Sequence, residues 1–408
     1  MNKSFYKKLT GRKHAVVIKT PEGCLEIVKA EVEEIINHLY FAGKSVPVIE
    51  TAKNSLTVSG LDWRTVFELP MRLHTPCEIS LLLHQKTVKF EKQLDEFFES
   101  SRLKEHLLEG SAISVKSNCV SSRIYHEGMV KERLSAFLEK HCDIKPQECG
   151  YQLRLDIDNN RASLTIGLCH DGFWKQKLKA NHTSLAPFRE DFAASFISKS
   201  LQNGQKKFNA DTFQTLTPFG GSGTFFFLTA LQLSGQNHFM LHPDDFFSCL
   251  RYKESNTISF ISKKIAENQT KTHQFMYVDL SEKEACGFQE NLKEFSQMLP
   301  LDAKVLQGDV FQLEAIEPES FAEPVFIPMN PPWGERLSEK KVARALYKKL
   351  PAFLNRFQNA FGFVLITQTD ILRHTEKTLS SLGFEVEVTP HNYFGMNLKC
   401  LYFLKKTK

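Results

Sequence analysis

The sequence predicts an α/β protein, with a doubly wound, mostly parallel sheet in its C-terminal half and smaller α+β segments before it. From Phe188 onward, short apolar stretches alternate with amphipathic ones, the pattern of strand–helix units stacked into a parallel sheet. Before that point helical and strand periodicities are mixed within each segment. The 408 residues exceed what one ordinary core organises, so two or three domains are expected.

Taken in order, Leu25 to Leu39 reads as an amphipathic helix. Leu25, Val28, Val32, Ile35 and Leu39 recur at helical spacing, with Glu26, Lys29, Glu31 and Glu34 between them. Strand-like stretches at Ala15 to Ile18 and Ser55 to Val58 flank it, which makes residues 1–65 a small α+β domain. A second α+β domain spans 66–170. Its helix near Gly128 to Lys140 places Val130, Leu134, Phe137 and Leu138 on one face. A hairpin follows: Tyr151, Leu153, Leu155 and Ile157 alternate with polar residues, Asn159-Asn160 turns, and Ala162, Leu164, Ile166 and Leu168 alternate again.

Residues 171–186 are polar, carry Lys175, Lys177 and Lys179, and read as a linker to a domain at 187–408. There the expected strands are Phe213–Leu216, Phe275–Val278, Lys304–Leu306, Val325–Met329, Gly362–Thr367, Phe384–Val388 and Cys400–Leu404. Phe225–Leu233 reads as a buried helix. Ser281 with Glu284 forms a capping box for a helix whose inner face is Ala285, Phe288, Leu292 and Phe295.

Composition narrows the function. Hydrophobic residues at 42% and charged residues at 24% belong to a globular protein. The longest apolar run, Phe225 to Leu233, is too short to span a bilayer, and no apolar signal core follows the basic N-terminus. Nine scattered cysteines, without a Cys-x-x-Cys pair or a His/Cys cluster at ligand spacing, point to a reducing compartment and to no metal. The expectation is a cytoplasmic monomer with no membrane partner. The net charge of +5 does not single out a nucleic-acid binder. Residues 1–20 do carry Lys3, Lys7, Lys8, Arg12, Lys13 and Lys19 with no acid among them, an arm that would neutralise phosphates or simply be solvated.

Four motifs carry chemistry. Thr217-Pro218-Phe219-Gly220-Gly221-Ser222-Gly223-Thr224 joins a strand to a helix. Its glycines admit a close ligand and the helix offers free N–H groups, although a tight structural turn has the same look; no Lys follows, so it is no Walker loop. Asp279 ends the next strand, where an acid accepts from ribose hydroxyls or caps a helix. Gly308-Asp309-Val310 ends the following one, where Asp309 would hold an adenine amine or form a surface turn. Asn330-Pro331-Pro332-Trp333-Gly334-Glu335-Arg336 follows an apolar strand. Two prolines stiffen the loop, so that the Asn330 side-chain oxygen and the Pro331 carbonyl become acceptors at a set distance. They suit a planar base amino group, with Trp333 as a stacking face.

On these residues the sequence resembles the THUMP-domain RNA methyltransferases, and among them the bacterial 23S rRNA guanine-N2 methyltransferases, over nearly its whole length. Ser122-Arg123-Ile124-Tyr125-His126 leading into Val130 to Leu134 is similar to their THUMP region. Ala186-Pro187-Phe188-Arg189-Glu190, followed by Ala193-Ala194, is similar to the entry of their catalytic domain. The resemblance implies a ferredoxin-like domain at 1–65, a THUMP RNA-binding domain at 66–170 and a Rossmann-like methyltransferase domain at 187–408. It further implies S-adenosylmethionine as cofactor, held by Pro187, Thr217, Pro218, Phe219, Gly221, Gly223, Thr224, Asp279, Leu280, Asp309, Val310 and Asn330. Catalysis would fall to Asn330, Pro331, Pro332 and Trp333, and the substrate would be a guanine of rRNA. The chain departs from that family in having Thr217 for Asp, Gly220 for Cys or Met, Trp333 for Tyr, and residues around Lys175 to Lys179 for an Arg-Gly-Tyr-Arg stretch. The alternatives are a tRNA guanine-N2 methyltransferase and a non-catalytic RNA-binding protein, the latter favoured by Thr217; a DNA adenine-N6 methyltransferase would share the Asn330 loop.

Overall fold

Among the described residues, two seven-stranded sheets organise the chain in the computed structural model. It describes residues 11–40, 46–172, 178, 183, 187–210, 212–253, 255–267, 273–313, 316, 321, 324–334 and 340–405. Lys3, Lys7 and Lys8, the linker residues Lys175, Lys177 and Lys179, Ala186, and Glu335 to Leu337 lie outside the described residues. No helix among the described residues is long and apolar enough to cross a membrane.

One compact unit gathers residues 1–21, 28–175 and 237–266. Its strands are β1 (His14–Lys19), β2 (Val48–Ala52), β3 (Ser55–Leu61), β4 (Glu78–Thr87), β5 (Ile113–Val120), β6 (Tyr151–Asp158) and β7 (Arg161–Gly167). They form a single sheet in the order β2-β3-β1-β4-β7-β6-β5, so residues 1–65 and 66–170 contribute to one continuous ladder through the β1–β4 pair. The β6–β7 hairpin pairs Leu153 with Ile166, Leu155 with Leu164 and Ile157 with Ala162. Asn159 and Asn160 turn at φ 49° and 63°, a backbone that asparagine accepts at low cost.

The helix Leu25–Leu39 has the expected limits, but its inner face differs from the expected one. Val28, Val32 and Ile36 are buried, while Ile35 and Leu39 are only half-buried. Glu31, expected among the outward polar residues, is buried on that face. Its carboxylate accepts from the His74 N–H at 2.7 Å, the His74 ring at 3.0 Å, and the N–H and hydroxyl of Thr75. Four donors replace the lost water, and this makes the burial tolerable. The helix Glu127–Phe137 also differs at its end, widening into a π-helical turn over Leu138–Cys142 that puts both of those residues in the core.

Residues 237–266, within the stretch expected as one catalytic domain, pack in this first unit. The Asn237 amide donates to the Leu73 carbonyl at 2.9 Å. Tyr252 meets Trp63 at 4.9 Å and Phe247 meets Phe67 at 4.9 Å between ring centroids. A segment with this many buried aromatics needs a core partner, and the rings of Trp63 and Phe67 provide one.

The other unit holds residues 22–27, 176–236 and 267–408. Its strands are β8 (Gln214–Pro218), β9 (Gln274–Asp279), β10 (Asp302–Gln307), β11 (Val325–Met329), β12 (Ala360–Ile366), β13 (Phe384–Tyr393) and β14 (Met396–Lys405), in the order β10-β9-β8-β11-β12-β14-β13. The first five are parallel and β14 runs antiparallel to both neighbours. This is the Rossmann-like methyltransferase architecture that the resemblance implies. Both faces are covered, which explains the unbroken apolar run of β11. Ile327 and Met329 pack with Tyr347, Leu350 and Leu354 of the helix Lys340–Asn355. On the opposite face Phe326 meets Phe361 at 5.3 Å, and Phe363 meets Phe196 of the helix Glu190–Phe208 at 5.9 Å.

Replacing Glu31 by Leu removes the carboxylate that the donors of His74 and Thr75 share. The substitution is expected to cost about 2–4 kcal/mol, read as a lowered urea midpoint at unchanged m-value.

Candidate active site

Strands β8 and β11 share only two register positions, Gln214 with Val325 and Thr215 with Phe326. β8 continues along β9 to Pro218, and β11 continues along β12 to Met329. Pro328 has no N–H to give to a ladder. The sheet therefore parts at the point where strand order reverses, and a crevice opens at the C-terminal strand ends.

Four loops converge on this crevice, a cleft of about 980 Å3. From β8 come Phe219 and Gly221; from β9, Asp279 and Leu280; from β10, Gly308, Asp309 and Val310; from β11, Asn330, Pro331, Pro332, Trp333 and Gly334. Pro187 lines it as well. Thr217, Pro218, Gly223 and Thr224 do not reach the cleft surface and are buried behind it.

The glycine loop is fixed by its neighbours. The Asp279 carboxylate accepts from the Gly221 N–H at 2.9 Å through one oxygen and from the Ser281 N–H at 2.9 Å through the other. The Tyr277 hydroxyl donates to the Gly221 carbonyl at 2.6 Å. Burial first, then the carboxylates of Asp279 and Glu284, push that hydroxyl above its ordinary pKa, so it remains a donor. Gly221 sits at φ 51° with open space where a Cβ would be. The loop thus presents bare backbone to the cleft.

Two departures from the resembling enzymes acquire a setting. A Cβ on Gly220 would lie 2.1 Å from the Tyr277 ring, which stacks on Phe288 with centroids 3.7 Å apart. Here the Tyr277 ring takes the space into which a side chain at position 220 would extend. Thr217 lies where β8 has left β11, and its buried hydroxyl has no hydrogen-bond partner among the described residues.

The Asn330 side-chain oxygen accepts from the indole N–H of Trp333 at 3.0 Å. Gln368 donates to the Trp333 carbonyl at 2.7 Å, which pins the loop to the end of β12. The Trp333 ring is edge-on to Phe188 at 6.3 Å and to Tyr393 at 5.9 Å, and those two rings stack at 4.6 Å. Tyr393, Phe394 and Met396 of the β13–β14 hairpin, together with Phe311 and Lys349, complete the wall. Sequence reasoning missed these five residues. It ended the strand at Val388, although Gly395 was a turn signal between two alternating stretches.

The acceptor set fits a nucleoside. Each Asp279 oxygen accepts one backbone N–H and retains a second lone pair for a ribose hydroxyl. Asp309 accepts from the Phe311 N–H at 3.0 Å through one oxygen. Leu280, Val310 and Phe311 supply apolar surface beside it.

Residues 181–395, more than half of the chain, match the family described as RMKL-like, methyltransferase domain. The chain belongs to that family. Methyl transfer with S-adenosylmethionine as cofactor is accordingly the activity class of the matched domain, residues 181–395. A curated relative, the ribosomal RNA large subunit methyltransferase K/L of Syntrophotalea carbinolica, is 24% identical over 260 residues, 60% of this chain and 35% of that protein. The chain thus spans about a third of the length of that relative. Among solved structures, "a possible methylase from Clostridium difficile 630" superposes with a TM-score of 0.70 at 17% identity, covering 97% of this chain and 99% of that one. SMU.472 complexed with SAH superposes with a TM-score of 0.71 at 16% identity, covering 97% and 99%. At these identities the structures share the fold.

Gly220→Ala is expected to lower stability by about 1–3 kcal/mol through overpacking against Tyr277. In a Tyr277→Leu background the same substitution should cost little. Thermal unfolding of the four proteins gives the coupling directly.

Proposed function

We propose that this protein methylates N2 of a guanine in RNA, with 23S rRNA as the favoured substrate. The observation that carries the reading is the placement of the Asn330-Pro331-Pro332-Trp333 loop at the parting of β8 and β11, in one cleft with Asp279 and Asp309. The curated relative is by name a methyltransferase of large-subunit rRNA, which supports rRNA over tRNA. In this reading residues 1–65 and 66–170 are the ferredoxin-like and THUMP segments that bind RNA, and the catalytic segment is 187–408 without the stretch 237–266 that packs in the first unit.

Asp279 would accept from the ribose hydroxyls of the cofactor and Asp309 from its adenine amine, with Leu280, Val310 and Phe219 against the ring and Gly221 giving backbone access. When bound, the cofactor supplies a methyl group already activated by its sulfonium. The protein then has to position the nucleophile. Asn330, through Oδ1, and Pro331, through its carbonyl, accept the two N–H bonds of the base amine and point its lone pair inward. The same acceptors stabilise positive charge as it develops on that nitrogen. In this reading the Trp333 N–H holds the Asn330 carboxamide oxygen and leaves it one lone pair for the amine. A face of the indole is then available to the flipped-out base.

A second reading, an RNA-binding protein without catalysis, draws on Thr217, whose hydroxyl has no partner among the described residues. Calorimetric titration with S-adenosylmethionine separates the two, since absence of binding favours the second.

Asn330→Ala should lower turnover about 100-fold or more, measured as tritiated methyl incorporated into RNA, with the melting temperature and cofactor affinity retained. Turnover at the wild-type rate would refute the assigned role. Nucleosides of rRNA and tRNA from a deletion strain, compared with the parent by mass spectrometry, should lack N2-methylguanosine in the large-subunit fraction alone.

A further inference from the structure

The tip of the β13–β14 hairpin carries a residue that its backbone does not favour. Tyr393 and Met396 are the last paired residues, leaving Phe394 and Gly395 as a two-residue loop. Their φ angles are 51° and 83°. Positive φ at both positions marks a type I′ turn, whose first position favours Asn, Asp or Gly. A bulky aromatic residue is an outlier there.

Burial does not compensate the strain, because Phe394 is 71% exposed. The turn is nonetheless held firmly, with the Asn392 side-chain oxygen accepting from the Gly395 N–H at 2.8 Å. The Arg189 guanidinium lies 5.5 Å from the Phe394 ring centroid and 5.2 Å from that of Phe192, and it is paired with the buried carboxylate of Asp191. A fixed, flat, apolar ring therefore stands at the rim of the cleft that contains Asn330 and Trp333. Ring contacts run outward from Trp333 to Tyr393 at 5.9 Å and from Tyr393 to Phe394 at 4.9 Å. Strain retained at the edge of a site points to use of the residue there.

We propose that Phe394 is a stacking platform for an unpaired RNA base adjacent to the methylated nucleotide. The proposal rests on the RNA methyltransferase reading. Every nucleobase offers a π-face to such a ring, so the platform would grip single-stranded RNA with little regard to sequence. The Arg189 guanidinium that packs on the ring is charge-matched by Asp191 and steadies the ring through a cation–π contact, and the ring lines the cleft that the methyltransferase reading gives to RNA. It leaves Trp333 to the target base and gives Phe394 the neighbour that enters with it.

The test uses F394N, which installs the residue this turn prefers, and F394W, which restores a ring. The probes are a single-stranded hexaribonucleotide carrying 2-aminopurine, read by fluorescence, and rRNA from a deletion strain, read by tritiated methyl transfer. F394N is expected to melt at or above the wild-type temperature and to bind S-adenosylhomocysteine normally. It should bind the hexamer about tenfold more weakly and raise KM for rRNA by a similar factor, with a much smaller change in kcat; F394W should recover both. Hexamer affinity and KM unchanged in F394N would overturn the platform while leaving the methyltransferase reading intact. The platform would also be overturned if the F394N effect tracked self-association of the protein rather than RNA. Wild-type protein that binds the hexamer through Phe394 but transfers no methyl to rRNA would sink the reading, and with it the placement of the stacked base beside a methylated nucleotide, while leaving Phe394 as an RNA-stacking residue.

Discussion

The early end of the β8–β11 ladder is the constraint on which the second unit depends. After Phe326 the two central strands no longer bond to one another, and their last residues diverge toward different partners. Each loop of the cleft is a continuation of a strand that stopped at this edge. Asp279 then ties the opening together by holding the glycine loop and the next helix through separate oxygens. One carboxylate thus joins two loops that the sheet itself has released, and it does so with acceptor capacity to spare.

A good share of this was legible in the sequence. The helix Leu25–Leu39 and the hairpin around Asn159-Asn160 were given by periodicity and turn chemistry, which depend on neighbours along the chain. The convergence of Phe219, Gly221, Asp279, Asp309 and Asn330 was also legible, because doubly wound topology brings successive strand ends to one edge. What escaped depends on partners distant in sequence. Glu31 has a polar side chain in a polar setting until His74 and Thr75 are brought to it. Residues Thr389 to Asn397 alternate weakly because β13 is an edge strand, where Pro390 is tolerated and one face is solvated. The strand therefore appeared to end at Val388, and the aromatic wall of Tyr393 and Phe394 went with it.

Gly220 and Tyr277 show why a motif is read poorly one residue at a time. A glycine in place of a larger residue suggests a weakened loop. With the Tyr277 ring against it, the same glycine is the only residue that leaves the ring stacked on Phe288. The change at position 220 and the tyrosine on β9 form a single packing solution.

Residues 237–266 also bear on how the chain is made. They belong to the first unit, yet they are translated after residues 176–236 of the second. A nascent chain that has reached β7 therefore lacks the rings of Phe247 and Tyr252 that cover Phe67 and Trp63. On the ribosome the N-terminal unit must wait with the rings of the helix Trp63–Glu68 uncovered while residues 176–236 emerge. Synthesis is vectorial, but completion of this unit is not, and a pause between codons 170 and 237 would prolong the interval in which a chaperone finds those rings uncovered.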